Sequence, residues 1–293
     1  MVLKLYDYRE NMKMTKEELK AAGILMNLAL KEDIGAGDIT TDSLIPENLI
    51  NNAILVAKSD GVLAGLEIAR MVFQELDENM KCHMAKSDGD HLVKGDVIAT
   101  FSGSYRALLT GERTALNFLQ RMSGIATASY SYSLILRDYH TKILDTRKTL
   151  PGFRLLDKYC VRTGGSENHR VGLYDMVMIK DNHIRVAGGI TNAVEAIRKR
   201  IHGDMKIEVE TTNLAEVAEA LASGADMIML DNMDNQTTLE AVTLIGKKAI
   251  TEASGNMTPE RIVEVARTGV DFISIGALTH SVKALDISME ILN

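Results

Sequence analysis

The chain has 293 residues, of which 46% are hydrophobic and 25% charged, as in a globular protein with room for one α/β barrel or two smaller domains. Its net charge of −7 argues against nucleic acid or an anionic membrane as the main partner, because both favour basic surfaces. The two cysteines, Cys82 and Cys160, indicate neither a disulfide framework nor a zinc site, so we expect a cytoplasmic setting. Residues 1–14 lack an apolar signal core and no long apolar run follows, so we expect neither secretion nor a membrane span.

The first part of the chain is rich in turns. Candidate short strands lie in residues 51–65 and 88–103, where glycines and Asp-Gly pairs recur every few residues. This pattern predicts a small N-terminal α+β domain over residues 1–110, followed by a long helix that begins near Thr110. The closing segment, residues 281–293, is predicted to be an amphipathic helix that packs on either domain.

The second half repeats one unit, in which a short apolar run ends in a polar residue and leads through a loop into a helical pattern. Such alternation predicts a parallel sheet covered by helices. Six clear runs fall short of the eight strands of a closed barrel, so we predict an incomplete α/β barrel over residues 111–280. The six runs are residues 142–145, 175–180, 206–210, 225–231, 248–252 and 270–276.

Polar or charged residues end most of these runs. In repeated βα folds the ligand binds at the carboxyl ends of the strands, and gathering charges there is costly unless a ligand uses them. One such residue could simply be a solvated loop side chain, but the set as a whole points to a ligand. Its members are Asp145, Lys180, Glu210, Asp231, Glu252 and Gly276, with Arg147 and Lys148 just beyond the first run.

Positive charge is concentrated in residues 147–180. This segment holds seven Lys or Arg against three acids, a local charge of +4 in a chain of −7, which favours an anionic substrate. Within it, a glycine pair precedes His169 and Arg170, an arrangement that can offer backbone N–H groups and directed side-chain donors to an anion. Considered by itself, a histidine such as His169 is more often a structural residue than one that binds a substrate.

A series of motifs then indicates a family. The chain contains, in order, EDIGAGDITT, GERTALNFLQRMSGIAT, DTRKTLPGFRLLDKYCVRTGGSENHR, IKDNH, EVE, LDN, EASGN and SIGALTHS. This series, from residue 32 to about residue 280, resembles the quinolinate phosphoribosyltransferase family. The resemblance departs from the family's usual pattern at Leu150, Phe153 and Ser166, the last standing where a third glycine is common.

The resemblance implies a pentosyltransferase of NAD biosynthesis. Such an enzyme joins quinolinate to phosphoribosyl pyrophosphate with loss of CO2, and gives nicotinate mononucleotide and pyrophosphate. Quinolinate is a dianion, so its carboxylates need cations, for which bidentate arginines are well suited. The motif matches assign this role to Arg147, His169, Arg170 and Lys180, with Arg113 supplied by the neighbouring subunit of a homodimer that shares its active sites.

The same matches assign the phosphoribosyl donor site. Glu210 and Asp231 correspond to ribose-binding carboxylates that also hold Mg2+, directly or through water, and Lys148 to a phosphate-binding lysine. Together with Lys180, these three form the implied catalytic set. The implied 5′-phosphate loops contain Ser254, Gly255, Asn256, Gly276 and, close to the phosphate, His280.

Four alternatives remain open on the sequence. The related protein associated with molybdate transport tends to lose the cationic set and the KDNH motif, which is complete here at residues 180–183. A nicotinate-specific transferase would need one fewer carboxylate site. A phosphate-ligand sensor could keep the fold without turnover, and a barrel aldolase could use Lys180 as a Schiff-base amine.

Overall fold

The computed structural model describes residues 13–201 and 205–292. Its helices are α1 (Lys16–Ile34), α2 (Ile39–Leu44), α3 (Leu66–Leu76), α4 (Tyr105–Ile135), α5 (Arg154–Thr163), α6 (Asp181–Ala187), α7 (Ile190–Arg198), α8 (Leu214–Ala222), α9 (Asn235–Ile245), α10 (Pro259–Arg267) and α11 (Ala277–His280). Its strands are β1 (Ile50–Ala57), β2 (Gly61–Val62), β3 (Lys81–Met84), β4 (His91–Leu92), β5 (Val97–Ser104), β6 (Lys142–Leu144), β7 (Val177–Ile179), β8 (Ile207–Thr211), β9 (Met227–Asp231), β10 (Ile250–Ser254), β11 (Phe272–Ser274) and β12 (Ile287–Leu292).

These elements form two compact units. Within the described residues, the first unit comprises residues 13–130, 149–165 and 278–292, and the second comprises the rest. The boundary predicted near residue 110 lies inside the continuous helix α4, and the loop and helix of residues 149–165 join the first unit. No helix in the described part of the chain is long and apolar enough to cross a membrane. Residues 1–12, part of the N-terminal segment in which we expect no signal sequence, lie outside the described residues.

The first unit is built on an antiparallel sheet of order β12-β1-β5-β3, with β2 and β4 forming a separate pair. Alternate residues of β1, namely Ala53, Leu55 and Ala57, are buried in the apolar core, as expected for a strand with one covered face. Helix α3 buries Val72 and Phe73 in the same core. The predicted turn-rich strands and the small α+β fold are therefore confirmed.

The C-terminal segment is a strand, so the predicted helix was wrong. Residues Ile287–Leu292 form β12, which pairs antiparallel with β1 in a register that places Met289 opposite Leu55. The alternation of Ile287, Met289 and Ile291 with more polar neighbours has the two-residue period of a half-buried strand. The edge of β1 supplies the hydrogen-bonding partner that local sequence could not reveal.

The second unit is a parallel six-stranded sheet of order β6-β11-β10-β9-β8-β7. Each predicted run overlaps one of these strands, although β8 extends one residue and β10 two residues beyond the predicted ends. Strands β6 and β7 form the two edges of the sheet, so the incomplete α/β barrel is confirmed. Asn213 is the N-cap of α8, and Thr258 is the N-cap of α10, with Pro259 at the first helical position.

Strand alternation decides which side chains reach the site. Ile207 and Val209 of β8, and Ile228 and Leu230 of β9, pack in the apolar core that also holds the inner faces of α7, α8 and α9. Because successive side chains of a strand point to opposite faces, Glu208, Glu210, Asp231, Glu252 and Ser254 project from the other face of the sheet.

Candidate active site

The strand ends of the second unit bring the predicted cations and carboxylates to one edge of the sheet. Lys180 follows β7 directly, and its Nζ lies 3.2 Å from Glu210 Oε2 on the neighbouring strand β8. The Lys180 backbone N–H donates to His183 Nδ1 at 3.0 Å, which fixes the start of α6. The KDNH motif thus orients Lys180 towards the carboxylate.

Arg147 and Arg170 form a pair of neighbouring cations. Burial, and then repulsion from Arg147, lower the pKa of Arg170. The Arg170 guanidinium donates to Met176 O at 3.1 Å and to Met178 Sδ at 3.6 Å, which are neutral acceptors. Arg147 Nε is buried and has no hydrogen-bond partner among the described residues. Two adjacent guanidinium groups held in this way form a site for an anion.

The loop that carries His169 and Arg170 is tied down by a buried aspartate. Asp145, just after β6, accepts from the His169 backbone N–H at 2.8 Å and from Asn168 Nδ2 at 2.9 Å. Asp145 was a candidate ligand residue in the sequence, but it holds the loop instead. Ser166 is buried and has no positive φ. Of the glycine pair that precedes it, Gly164 and Gly165, only Gly165 has a positive φ, of 89°.

His169 lies between two fully buried carboxylates. Its Nε2 is 3.0 Å from Glu208 Oε2 and 3.3 Å from Glu252 Oε2, and both glutamates are 0% exposed. Ser274 on β11 donates a hydrogen bond to Glu252 Oε1. Burial, followed by repulsion from Glu252, raises the pKa of Glu208 to about 7. Sequence reasoning missed Glu208, which stands inside a strand, and placed Glu252 at a strand end although β10 continues to Ser254.

The His169 ring is subject to two opposing influences. Burial lowers its pKa, but the facing carboxylates of Glu208 and Glu252 outweigh burial and raise the pKa to about 10. The contact at Nδ1 argues against a second proton on the ring. The Arg170 backbone N–H donates to Nδ1 at 2.7 Å, and a nitrogen that accepts a hydrogen bond cannot carry a proton. The contact geometry places the ring proton on Nε2, between the carboxylates.

The remaining carboxylates lie at the ends of β8 and β9. Glu210 is half-buried beside Lys180, and Asp231 accepts a hydrogen bond from Asn232 Nδ2 at 2.8 Å. Both supply the hard oxygen atoms that Mg2+ prefers, and both retain accessible surface, so the residue types fit this metal.

The loop after β10 has a constrained backbone. Gly255 has φ of 96°, and a Cβ atom there would meet Asn232 Oδ1 at 2.1 Å. Arg261 on α10 donates to Gly255 O at 2.8 Å and to Met233 O at 2.9 Å. Arg261 was not predicted as a site residue. It joins the loops after β9 and β10, and no local sequence signal indicates that role.

Four other predicted residues lie in both units. Lys148 is exposed and follows Arg147, and Gly276 lies just after β11, so both are at the same edge of the sheet. Arg113, on α4, and His280, at the end of α11, belong to the first unit and are exposed. His280 Nδ1 lies 2.8 Å from Ser281 Oγ.

Two family models cover nearly all of the described chain. Residues 38–123 match the quinolinate phosphoribosyl transferase N-terminal domain, and residues 125–290 match its C-terminal domain. The chain belongs to the quinolinate phosphoribosyl transferase family. Membership confirms the resemblance that the motifs indicated.

Similar proteins from several organisms carry the family's names. The chain is 48% identical to a probable nicotinate-nucleotide pyrophosphorylase (carboxylating) of Bacillus subtilis, over 91% of this chain and 92% of that one. It is 46% identical to the chloroplastic nicotinate-nucleotide pyrophosphorylase (carboxylating) of Arabidopsis thaliana, over 94% and 83% of the two chains. The structure of the Francisella tularensis nicotinate-nucleotide pyrophosphorylase superposes with a TM-score of 0.91 at 41% identity, covering 96% of this chain and 99% of that one.

Proposed function

We propose that the chain transfers the phosphoribosyl group of phosphoribosyl pyrophosphate to quinolinate with decarboxylation, and so makes nicotinate mononucleotide, pyrophosphate and CO2. The observation that carries this proposal is the pair formed by Arg147 and Arg170. The two guanidiniums are close enough to lower the pKa of Arg170, and the Arg147 Nε is buried without a partner in the described structure. A dicarboxylate substrate would neutralise both cations at once.

The reaction depends on charge compensation more than on proton transfer. The pyridine nitrogen of quinolinate attacks C1′ while pyrophosphate departs, so the transition state has cationic character at the ribose and growing negative charge on the leaving group. We assign Lys148 to the departing pyrophosphate and Lys180 to a quinolinate carboxylate. The Lys180–Glu210 ion pair, at 3.2 Å, orients the lysine before the substrate arrives. Loss of the 2-carboxylate as CO2 then leaves an electron pair at C2, which takes up a proton.

We assign the ribose hydroxyls and Mg2+ to Glu210 and Asp231. These carboxylates end adjacent parallel strands, β8 and β9, and keep accessible oxygens. When bound, Mg2+ would neutralise pyrophosphate oxygens as they gain charge. The 5′-phosphate is assigned to backbone N–H groups of the loops at Ser254, Gly255, Asn256 and Gly276, with His280 close to it.

We further propose that the enzyme is a cytoplasmic homodimer. Arg113 is exposed on α4, where its guanidinium can be offered to a neighbouring subunit, so each site would combine residues of both chains. Two equivalent sites then arise from one two-fold axis.

The test is a direct assay. Purified protein is incubated with quinolinate, phosphoribosyl pyrophosphate and Mg2+, and nicotinate mononucleotide and CO2 are measured together. Equal amounts of both products would support the proposal. Activity with nicotinate and without CO2 would point to a nicotinate-specific transferase, and folded protein inert to both substrates would point to a non-catalytic member of the family.

A further inference from the structure

Two buried glutamates lie directly beneath the proposed substrate residues. Glu208 precedes Glu210 by two positions on β8, and Glu252 precedes Ser254 by two positions on β10, so each shares a face with a proposed ligand residue. Neither glutamate can reach a substrate by itself, because both are 0% exposed. Burying two carboxylates is costly, so the pair calls for an explanation that the proposed reaction does not give.

A metal site is one explanation, and the His169 ring argues against it. His169, Glu208 and Glu252 each offer a ligand atom, and these atoms lie within 4.8 Å of one another. A histidine that binds a metal presents a bare nitrogen to it and donates its other ring N–H outward. Here Nδ1 accepts from the Arg170 backbone N–H, so the proton must sit on Nε2, which faces the carboxylates. A protonated nitrogen cannot bind the ion.

We propose instead that Glu208 and Glu252 are positioning residues, a glutamate clamp that orients His169 and through it places Arg170 in the quinolinate site. The chain of contacts is continuous. The two carboxylates lie 3.0 Å and 3.3 Å from Nε2, the other ring nitrogen accepts the Arg170 amide at 2.7 Å, and Asp145 accepts the His169 amide at 2.8 Å. Nδ1 is therefore fixed by a hydrogen bond and Nε2 faces the two carboxylates at ion-pair distance, so the ring and the backbone that carries the Arg170 guanidinium are positioned together.

The clamp sets the orientation of the His169 ring. Nδ1 accepts the Arg170 amide and Nε2 faces the two carboxylates, so a change in either glutamate should reach Arg170 through the ring. The negative clamp also acts on Arg170 electrostatically, since Glu208 favours the charged guanidinium while Arg147 opposes it. This inference rests on the proposed function for the identity of the substrate. The geometry of the His169 ring is independent of that function.

The kinetic test compares Glu208→Gln and Glu252→Gln with Thr211→Val. Thr211 lies on β8 with its side chain on the opposite face, is fully buried and donates to Met229 O, so its loss is a matched structural control. We expect each Gln variant to raise the KM for quinolinate about tenfold or more, with the KM for phosphoribosyl pyrophosphate within about twofold of wild type. Thr211→Val should lower stability and leave both KM values unchanged.

A spectroscopic test addresses the ring itself. In protein with 15N-labelled histidine, with the signals assigned through a His169→Gln variant, His169 should show a protonated Nε2 and a bare Nδ1. The Gln variants should shift these signals, and Thr211→Val should not. This measurement stands even if wild-type protein does not turn over quinolinate, which would overturn the proposed function and leave the clamp to be judged by the spectrum.

Three outcomes would overturn the clamp. The first is a bare Nε2 in wild-type protein. The second is a folded Gln variant whose two KM values and His169 signals match those of wild type, or whose two KM values rise equally. The third is one equivalent of Zn2+ or Mn2+ bound by the wild type and lost in both Gln variants, which would make the cluster a metal site.

Discussion

Asn232 and Asn256 both adopt a left-handed backbone conformation, with φ of 54° and 50°, and Asn256 Nδ2 donates to Asn232 Oδ1 at 3.3 Å. Asparagine tolerates this conformation better than most residues, but it remains uncommon outside glycine. The two residues follow Asp231 on β9 and Gly255 after β10. The pair therefore links the proposed ribose carboxylate to the proposed phosphate loop.

The close approach at Gly255 gives a first prediction. In Gly255→Ala, the new Cβ would stand 2.1 Å from Asn232 Oδ1 on a backbone with φ of 96°, so the loop or the Asn232 side chain must move and their contact is lost. We expect the KM for phosphoribosyl pyrophosphate to rise about tenfold or more, and the KM for quinolinate to change less. The control is Gly224→Ala, where φ is 77° but a Cβ meets no atom within 4 Å. It should cost about 1 kcal/mol of stability without changing either KM. Equal kinetics in the two variants would contradict the role of the loop.

The arginine pair gives a second prediction. Arg147→Ala removes one of the two cations that face the proposed dicarboxylate, and kcat/KM for quinolinate should fall by about two orders of magnitude or more, with unchanged circular dichroism. Arg147→Lys should recover only part of this loss, because lysine cannot form a bidentate pair. Arg185→Ala, which removes an exposed arginine bonded to Asn182, is the control and should behave as wild type. A nearly normal Arg147→Ala enzyme would refute the assignment of the quinolinate site.

The sequence predicted what depends on local pattern. All six strands of the second unit were visible as apolar runs. The motifs also brought Lys180 and Glu210 to one site, where the structure places them 3.2 Å apart. These features depend on neighbouring residues or on strand order, and both can be deduced from a chain of βα units.

What escaped prediction depends on contacts between distant segments. The C-terminal strand β12 exists because β1 offers an edge more than two hundred residues earlier in the chain. Glu208 looked like one polar residue in a strand, and only the folded chain shows that it meets His169 and Glu252. Arg261 likewise owes its contacts to loops whose backbone carbonyls carry no sequence signal.

The Asp226 carboxylate, just before β9, accepts a hydrogen bond from Ile207 at the start of β8, and this contact gives a prediction about pH. Burial by itself would raise the pKa of Asp226, but hydrogen bonds from the Ile207 amide at 2.8 Å and from Arg198 at 2.6 Å hold it below the ordinary value of an aspartate. A carboxylate with a lowered pKa stabilises the native state above its unfolded pKa, and this stabilisation is lost as the pH falls through the native value. Asp226→Asn should therefore lower the free energy of unfolding by about 1 kcal/mol at pH 7, and less as the pH drops below about 4. Thermal unfolding across that range measures the difference, and a constant difference at all pH values would contradict the mechanism.

The proposed sharing of sites between subunits gives the last prediction. If each site combines Arg170 of one chain with Arg113 of its partner, Arg113→Ala and Arg170→Ala homodimers should both be nearly inactive, because every site lacks one arginine. A heterodimer of the two variants has one site with both arginines and one with neither, so purified heterodimers carrying two different tags should regain about half of wild-type activity. A heterodimer of Arg170→Ala with Arg147→Ala is the control. Both changes lie in the second unit, so each site keeps one defect and no recovery is expected. Verified Arg113/Arg170 heterodimers without recovery would show that Arg113 acts within its own chain or not at all.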